Sequence, residues 1–129
     1  MDQTSAADCG ILISVKTRYL DKQSDLLTNN HAFSYTINIQ NNRSDTVQLL
    51  HRHWVITDQN NKIEEVQGKG VVGQQPFIKP GESYQYSSGT LINSRIGDMK
   101  GSYTMQAGNG ENFEAEIPLF VLATPNMLH

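Results

Sequence analysis

Phe33-Ser34-Tyr35-Thr36-Ile37-Asn38-Ile39-Gln40 decides the fold class. Large apolar side chains take the odd positions and polar ones the even positions. Successive side chains of an extended strand point to opposite faces, so this stretch is a strand with one buried and one wet face. The same phase runs through Ile11, Ile13, Val15, Thr17 and Tyr19. It returns in Phe113, Ala115, Ile117, Leu119 and Val121, with Asn112, Glu114 and Glu116 opposite. No window holds an i, i+3, i+4, i+7 apolar stripe, so the periodicity argues for strands throughout. Trp54 falls in the strand predicted from Val47 to Asp58, in phase with Leu50 and Ile56, and is expected at the centre of the core.

Turn chemistry separates these strands. Asn41-Asn42-Arg43-Ser44-Asp45, Asp58-Gln59-Asn60-Asn61, Lys79-Pro80-Gly81-Glu82 and Gly108-Asn109-Gly110 are each rich in turn formers. Pro80 presets φ at the second position of a turn and Gly81 accepts the positive φ of the third, a type II pattern. Asn60-Asn61 suits a tight hairpin because Asn tolerates the left-handed region. Such strands and turns predict an all-β sandwich of antiparallel strands. A single domain over residues 11–129 is expected, preceded by a flexible leader over residues 1–10.

Composition narrows the function. The 129 residues are 37% hydrophobic and 18% charged, which is too apolar for disorder. No apolar run approaches the roughly 20 residues of a membrane span. A net charge of −3 and scattered cations (Lys16, Arg18, Arg43, Arg52, Lys69, Lys79, Arg95, Lys100) argue against nucleic acid as a partner, because phosphate-backbone binding needs clustered Lys and Arg. The single Cys9 suits a reducing compartment. Acids stand in the N-terminal stretch where a signal peptide carries basic residues, so the cytoplasm is the expected location.

Gly68-Lys69-Gly70-Val71-Val72-Gly73 matches G-x-G-x-x-G letter for letter. In a dinucleotide site the last glycine opens a helix whose N-terminus holds pyrophosphate. Here Pro76 and Pro80 come next and forbid that helix. Glu64 and Glu65 repel phosphate from upstream. The acid expected about twenty residues on is replaced by Leu91, Ile92 and Asn93. The glycines are therefore read as a bulge or a close approach of backbones. A non-helical nest of amides from Gly68, Lys69, Gly70 and Gly73 that captures a small anion is the alternative.

His51 and His53 share one strand face and are weak metal candidates, since a stable site needs a third or fourth ligand. Cys9 has no basic neighbour to make a thiolate. No serine sits in a G-x-S-x-G elbow, and no carboxylate pair is marked out for acid–base work. No catalytic residue and no cofactor are expected. Pro118, Phe120 and Leu122 lie opposite Ile117, Leu119 and Val121; turned to solvent they present an apolar partner surface at a sheet edge, and the alternative is a segment buried on both faces.

A longer pattern runs through the chain: Val47-Gln48-Leu49-Leu50, Arg52-His53-Trp54, Ile56-Thr57-Asp58, Glu65 to Gly73, Gln75-Pro76, Pro80-Gly81 and Tyr84 to Gly89. It continues in Gly97, Met99, Gly101, Tyr103, Met105 and Ile117-Pro118-Leu119-Phe120-Val121-Leu122. In these residues the chain resembles the ApaG family, from about Val15 to His129. The resemblance implies an immunoglobulin- or fibronectin-III-like sandwich. It also implies kinship with stand-alone bacterial proteins, also named CorD, associated with cobalt resistance and magnesium efflux. Related domains are appended to an F-box ubiquitin-ligase adaptor and to a DNA-polymerase-interacting protein. Bacterial members are often encoded beside a diadenosine tetraphosphatase and an rRNA adenine dimethyltransferase. No catalytic residue comes with the resemblance. Asn61 stands where a hairpin glycine is common, Arg95 where a threonine-proline pair often ends, and His51 is unusual beside Arg52-His53-Trp54. The expectation is a non-enzymatic binding module that recruits a protein partner through a sheet face or edge. The alternative is a small-ligand sensor of divalent metal or phosphate anions. A hydrolase of nucleotide polyphosphates lacks the residues for its chemistry.

Overall fold

The alternating stretches pair with one another. In the computed structural model of the chain, residues 2–4 and 9–125 are described, with side chains from residue 9 onward. The strands are β1 (Asp2–Thr4), β2 (Ile11–Asp25), β3 (Asn30–Asn41), β4 (Val47–Asp58), β5 (Ile63–Lys69), β6 (Phe77–Ile78), β7 (Ser83–Ile92), β8 (Ile96–Gln106) and β9 (Asn112–Ala123). One sheet runs β1-β2-β3-β7. The other runs β5-β4-β8-β9, with β6 added to β4. Every pairing is antiparallel.

The two inner faces carry the core that the periodicity predicts. Ile11, Ile13, Val15, Phe33, Ile37 and Ile39 are buried on the first sheet. Trp54 faces them from β4 and meets Tyr35 at 5.4 Å, Phe120 at 5.8 Å and Tyr103 at 6.5 Å between ring centroids, all near edge-on. Edge-to-face rings add about 0.5–1.5 kcal/mol per pair beyond the area they bury. The turns obey their residues too. Glu82 N–H donates to the Lys79 carbonyl and Gly81 has φ +79, as a type II turn requires. Asn61 has φ +62, and Asp58 Oδ1 accepts from the amides of Asn60 and Lys62.

Two β-bulges overturn two expectations of facing. On β9, Ile117 pairs with Gly101 but Phe120 pairs with Met99, so Pro118 and Leu119 together oppose Lys100. An extra residue reverses the in–out phase of everything after it. Phe120 and Leu122 are therefore buried, and the predicted partner surface of Pro118, Phe120 and Leu122 does not exist. Pro118 is half-buried, and Leu119, 49% exposed, faces water instead. On β4, Leu49 pairs with Met105 and His51 with Thr104, which leaves Leu50 as the extra residue. Leu49, not Leu50, is the core residue that precedes Trp54.

Part of the expected leader, residues 1–10, meets the sandwich. Asp2–Thr4 pair with Lys16, Val15 and Ser14 of β2 as an edge strand. Cys9 packs against the core, and its carbonyl accepts from Arg43 Nη1 at 3.0 Å. Residues 1 and 5–8 of the expected leader lie outside the described residues. Among the described residues no helix is long and apolar enough to cross a membrane.

Candidate functional site

The bulge at Leu50 sets up the site. Past it, the inward phase of β4 runs through Arg52, Trp54 and Ile56, so a cation enters the space between the sheets. Arg52 Nη1 donates to the carbonyls of Gly70 at 2.9 Å and Lys69 at 3.2 Å. The guanidinium lies against Gly68, where an added Cβ would stand 2.6 Å from Cζ, Nη1 and Nη2. A side chain at position 68 would therefore push the guanidinium aside.

The rest of the glycine stretch wraps this arginine. The bulged Leu50 carbonyl accepts from Gly70 N–H at 2.8 Å and from Gln75 Nε2 at 2.9 Å, which ties the loop to β4. Gly70 has φ +66, and a side chain there would collide with the Gln74 carbonyl. Val71 and Gln74 exchange both backbone hydrogen bonds, at 2.8 and 2.9 Å, around Val72 and Gly73. Those two residues have φ +48 and +78, so the motif ends in a two-residue turn of the type I′ kind. No helix continues from it, as the prolines dictate. The amides of Gly70, Val71 and Gln74 are committed within the loop, which leaves Val72 and Gly73 without a partner among the described residues.

Above the arginine, Tyr35, Trp54, Val71, Val72, Gly73, Tyr86 and Ser88 enclose a cavity of about 200 Å³. Tyr86, one of its walls, joins the buried Tyr103 hydroxyl to hydroxyl. Burial pushes both phenols above their ordinary value, and the nearby Arg52 charge works in the opposite direction. Arg52 has no carboxylate within ion-pair distance among the described residues: Asp45 pairs with Arg43, and Glu65 lies beside the His53 imidazole.

The cavity opens between two unpaired strand edges. Among the described residues β5 pairs only with β4, and β7 only with β3. Their edges lie on the same side of the sandwich, since Leu91 and Ile92 of β7 line a cleft with Ile56 of β4 and Glu64 of β5. The β5 edge is charged at Glu64, Glu65 and Lys69. The β7 edge, Ser83-Tyr84-Gln85-Tyr86-Ser87-Ser88-Gly89-Thr90-Leu91-Ile92, carries no charge and no proline. Its register with β3 runs unbroken from Ser83–Gln40 to Ile92–His31.

The histidine pair lies on the outer face of the other sheet. His53 Nε2 is 3.2 Å from Glu65 Oε2, with the histidine half-buried and the glutamate largely exposed. His51 borders the same shallow depression, with Lys69, Thr104 and Glu114. Among the described residues no group of three or more His, Cys, Asp or Glu is placed to hold a metal ion. A different histidine is built into the structure. His31 is 1% exposed, with Nε2 2.9 Å from Asn29 Oδ1 and Nδ1 3.2 Å from the Tyr19 hydroxyl. Asn29 Oδ1 can only accept, so Nε2 carries the proton and Nδ1 accepts from Tyr19. Burial, and then the charge of Arg95, hold His31 below its usual range.

Sequence reasoning passed over Arg52 as one scattered cation. The signal was present: counting back by two from Ile56 through Trp54 places Arg52 on the inner face.

Fold and site together define a β-sandwich domain of the immunoglobulin and fibronectin-III kind, with a cationic cavity on its open side. The ApaG domain family model matches residues 21–107, and the chain belongs to the ApaG family. It is 55% identical to protein ApaG of Pseudomonas putida over 117 residues, 91% of this chain and 93% of that one. An X-ray structure determined as a structural-genomics target is 48% identical, covers 96% of this chain and 94% of its own, and superposes with a TM-score of 0.89. A crystal structure described as an ApaA protein from Bordetella pertussis is 43% identical, with a TM-score of 0.87 over 89% of this chain and 94% of that one.

Proposed function

We propose that this chain is a non-enzymatic recognition module that takes an extended segment of a partner protein alongside β7. The observation that carries the reading is the β7 edge itself. Exposed strand edges invite pairing, and proteins that do not use them block them with lysine, proline or bulges. The β5 edge is guarded by charges, whereas β7 offers ten residues without charge, proline or bulge. Strand addition derives affinity from main-chain hydrogen bonds and selectivity from pockets beside the edge. The Arg52 cavity, bordered by Tyr86 and Ser88 of β7, is such a pocket.

The module acts in the cytoplasm, in line with its single cysteine. Its link to cobalt resistance and magnesium efflux, implied by family resemblance, runs through the recruited partner. Calorimetry with Co²⁺ and Mg²⁺ is expected to give flat traces, and saturable heats would favour the metal-sensor alternative. The direct test is affinity capture with the wild type and with Gln85→Lys/Ser87→Lys, two exposed β7 positions. A near-stoichiometric partner should be held by the wild type and lost by the lysine variant. A partner retained equally by both contradicts strand addition.

A further inference from the structure

We propose that Arg52 holds one oxyanion group, a carboxylate or a phosphoryl, in the cavity beneath the Val72–Gly73 turn. Guanidinium offers five N–H donors in a planar fork. The recorded hydrogen bonds use Nη1 alone, toward the carbonyls of Lys69 and Gly70, while Nε and Nη2 have no protein acceptor among the described residues. The side chain is half-buried, and among the described residues no carboxylate lies within ion-pair distance of it, although Glu114 borders the shallow depression on its other side. A permanent charge placed between two sheets without a counter-ion is unfavourable, and an incoming anion relieves that cost.

The walls fit this role. Tyr35, Trp54 and Tyr86 supply apolar surface around the charge, and low local dielectric strengthens a charge-assisted hydrogen bond. The two turn amides without a partner, of Val72 and Gly73, border the same space. Its volume of about 200 Å³ is below the roughly 300–1,000 Å³ of sites that enclose whole cofactor-sized ligands. The cavity therefore accepts one anionic group and is too small to enclose a whole nucleotide. Guanidinium, rather than a cradle of glycine amides, provides the charge, because three of the loop's amides are already spent on Leu50, Val71 and Gln74. The inference rests on the β7 reading only for one source of the anion, an acidic side chain in the docked segment. The other source is free phosphate.

The test is titration of the full chain with sodium phosphate and, separately, with glutarate, monitored by ¹⁵N–¹H spectra at constant ionic strength. Saturable shifts are expected at the amides of Gly70, Val72 and Gly73 and at the Trp54 indole. Saturation by glutarate but not phosphate assigns the site to acidic side chains, and the reverse assigns it to phosphoryl groups. Arg52→Gln should weaken binding roughly ten- to a hundredfold, the loss that accompanies removal of a hydrogen bond to a charged group. Arg52 also ties down the loop, so that variant could unfold. Ser88→Asp, at the exposed mouth, keeps the arginine and supplies a resident carboxylate that should compete with both probes. Absence of saturable shifts with either anion overturns the proposal, and so does wild-type affinity in folded Ser88→Asp. Neither result bears on capture of a partner at β7, which is scored separately by the lysine variant.

Discussion

The guanidinium of Arg52 lies flat on the bare Cα of Gly68, with a hypothetical methyl group there 2.6 Å from Cζ and from both terminal nitrogens. Gly68→Ala must therefore displace the arginine. The displaced atoms are the end of a flexible side chain, so the cost is about 0.5–1.5 kcal/mol, that of a strained or lost hydrogen bond to the Lys69 or Gly70 carbonyl, to be read from denaturant unfolding. Anion-induced shifts at the loop should disappear with it. Gly73→Ala is the matched control: no heavy atom lies within 4 Å, but φ is +78. It should cost about 1–2 kcal/mol from backbone strain alone and leave the Arg52 geometry in place.

Val72 is a β-branched residue at φ +48, with its side chain 62% exposed. Asn adopts the left-handed region more readily and loses less backbone freedom on folding than Gly. Val72→Asn is expected to raise stability by about 1 kcal/mol, measured by the denaturation midpoint at unchanged slope. An equal or lower midpoint would mean that Val72 contributes packing that offsets its strain.

The bulge at Pro118–Leu119 makes neighbouring residues unequal. Phe120→Ala should cost about 3–5 kcal/mol, as for a deleted core aromatic. Leu119→Ser should change stability by less than about 1 kcal/mol, since half of that side chain is in water. Comparable losses at both positions would argue against the register of β9 with β8.

His31 gives the stability a pH dependence. Its folded pKa lies below 6.5 through burial and the Arg95 charge, so the unfolded chain takes up the proton first. Stability contributed by neutral His31 is fully present above about pH 6.5 and declines as pH falls below that value, toward the depressed folded pKa. His31→Gln, which keeps a polar side chain at this position, should flatten that part of the curve. Chemical denaturation between pH 5 and 8, about the range of an ordinary histidine, reads the difference.

Much of the fold is legible in the sequence because period-two alternation and turn residues act locally. Phe33 to Gln40 needs no partner to be recognised as a half-buried strand, and Lys79-Pro80-Gly81-Glu82 carries its turn type in its own φ preferences. The bulges are not legible. Leu50 and the Pro118–Leu119 pair are set by register against β8, a relation between distant segments that alternation cannot report. Each bulge inverts the facing of the residues beyond it, so uninterrupted alternation puts Leu50 in the core and leaves Phe120 and Leu122 free for the surface. The candidate site is hidden for a different reason. Arg52 keeps the phase of Trp54 and Ile56, but nothing local to β4 shows that the Lys69 and Gly70 carbonyls receive it. The glycine motif is legible as loop geometry, yet its central contact, the Arg52 side chain over Gly68, depends on tertiary packing.

The central claim is that the chain recognises its partner along β7. The direct measurement places a photoactivatable cross-linker at Leu91, exposed on β7, and in a second protein at Glu116, exposed on β9. After irradiation in cells, Leu91 should yield one dominant adduct that the Gln85→Lys/Ser87→Lys background abolishes, and Glu116 should yield none. The same adduct from Glu116, or an adduct at Leu91 indifferent to the lysines, would contradict the account.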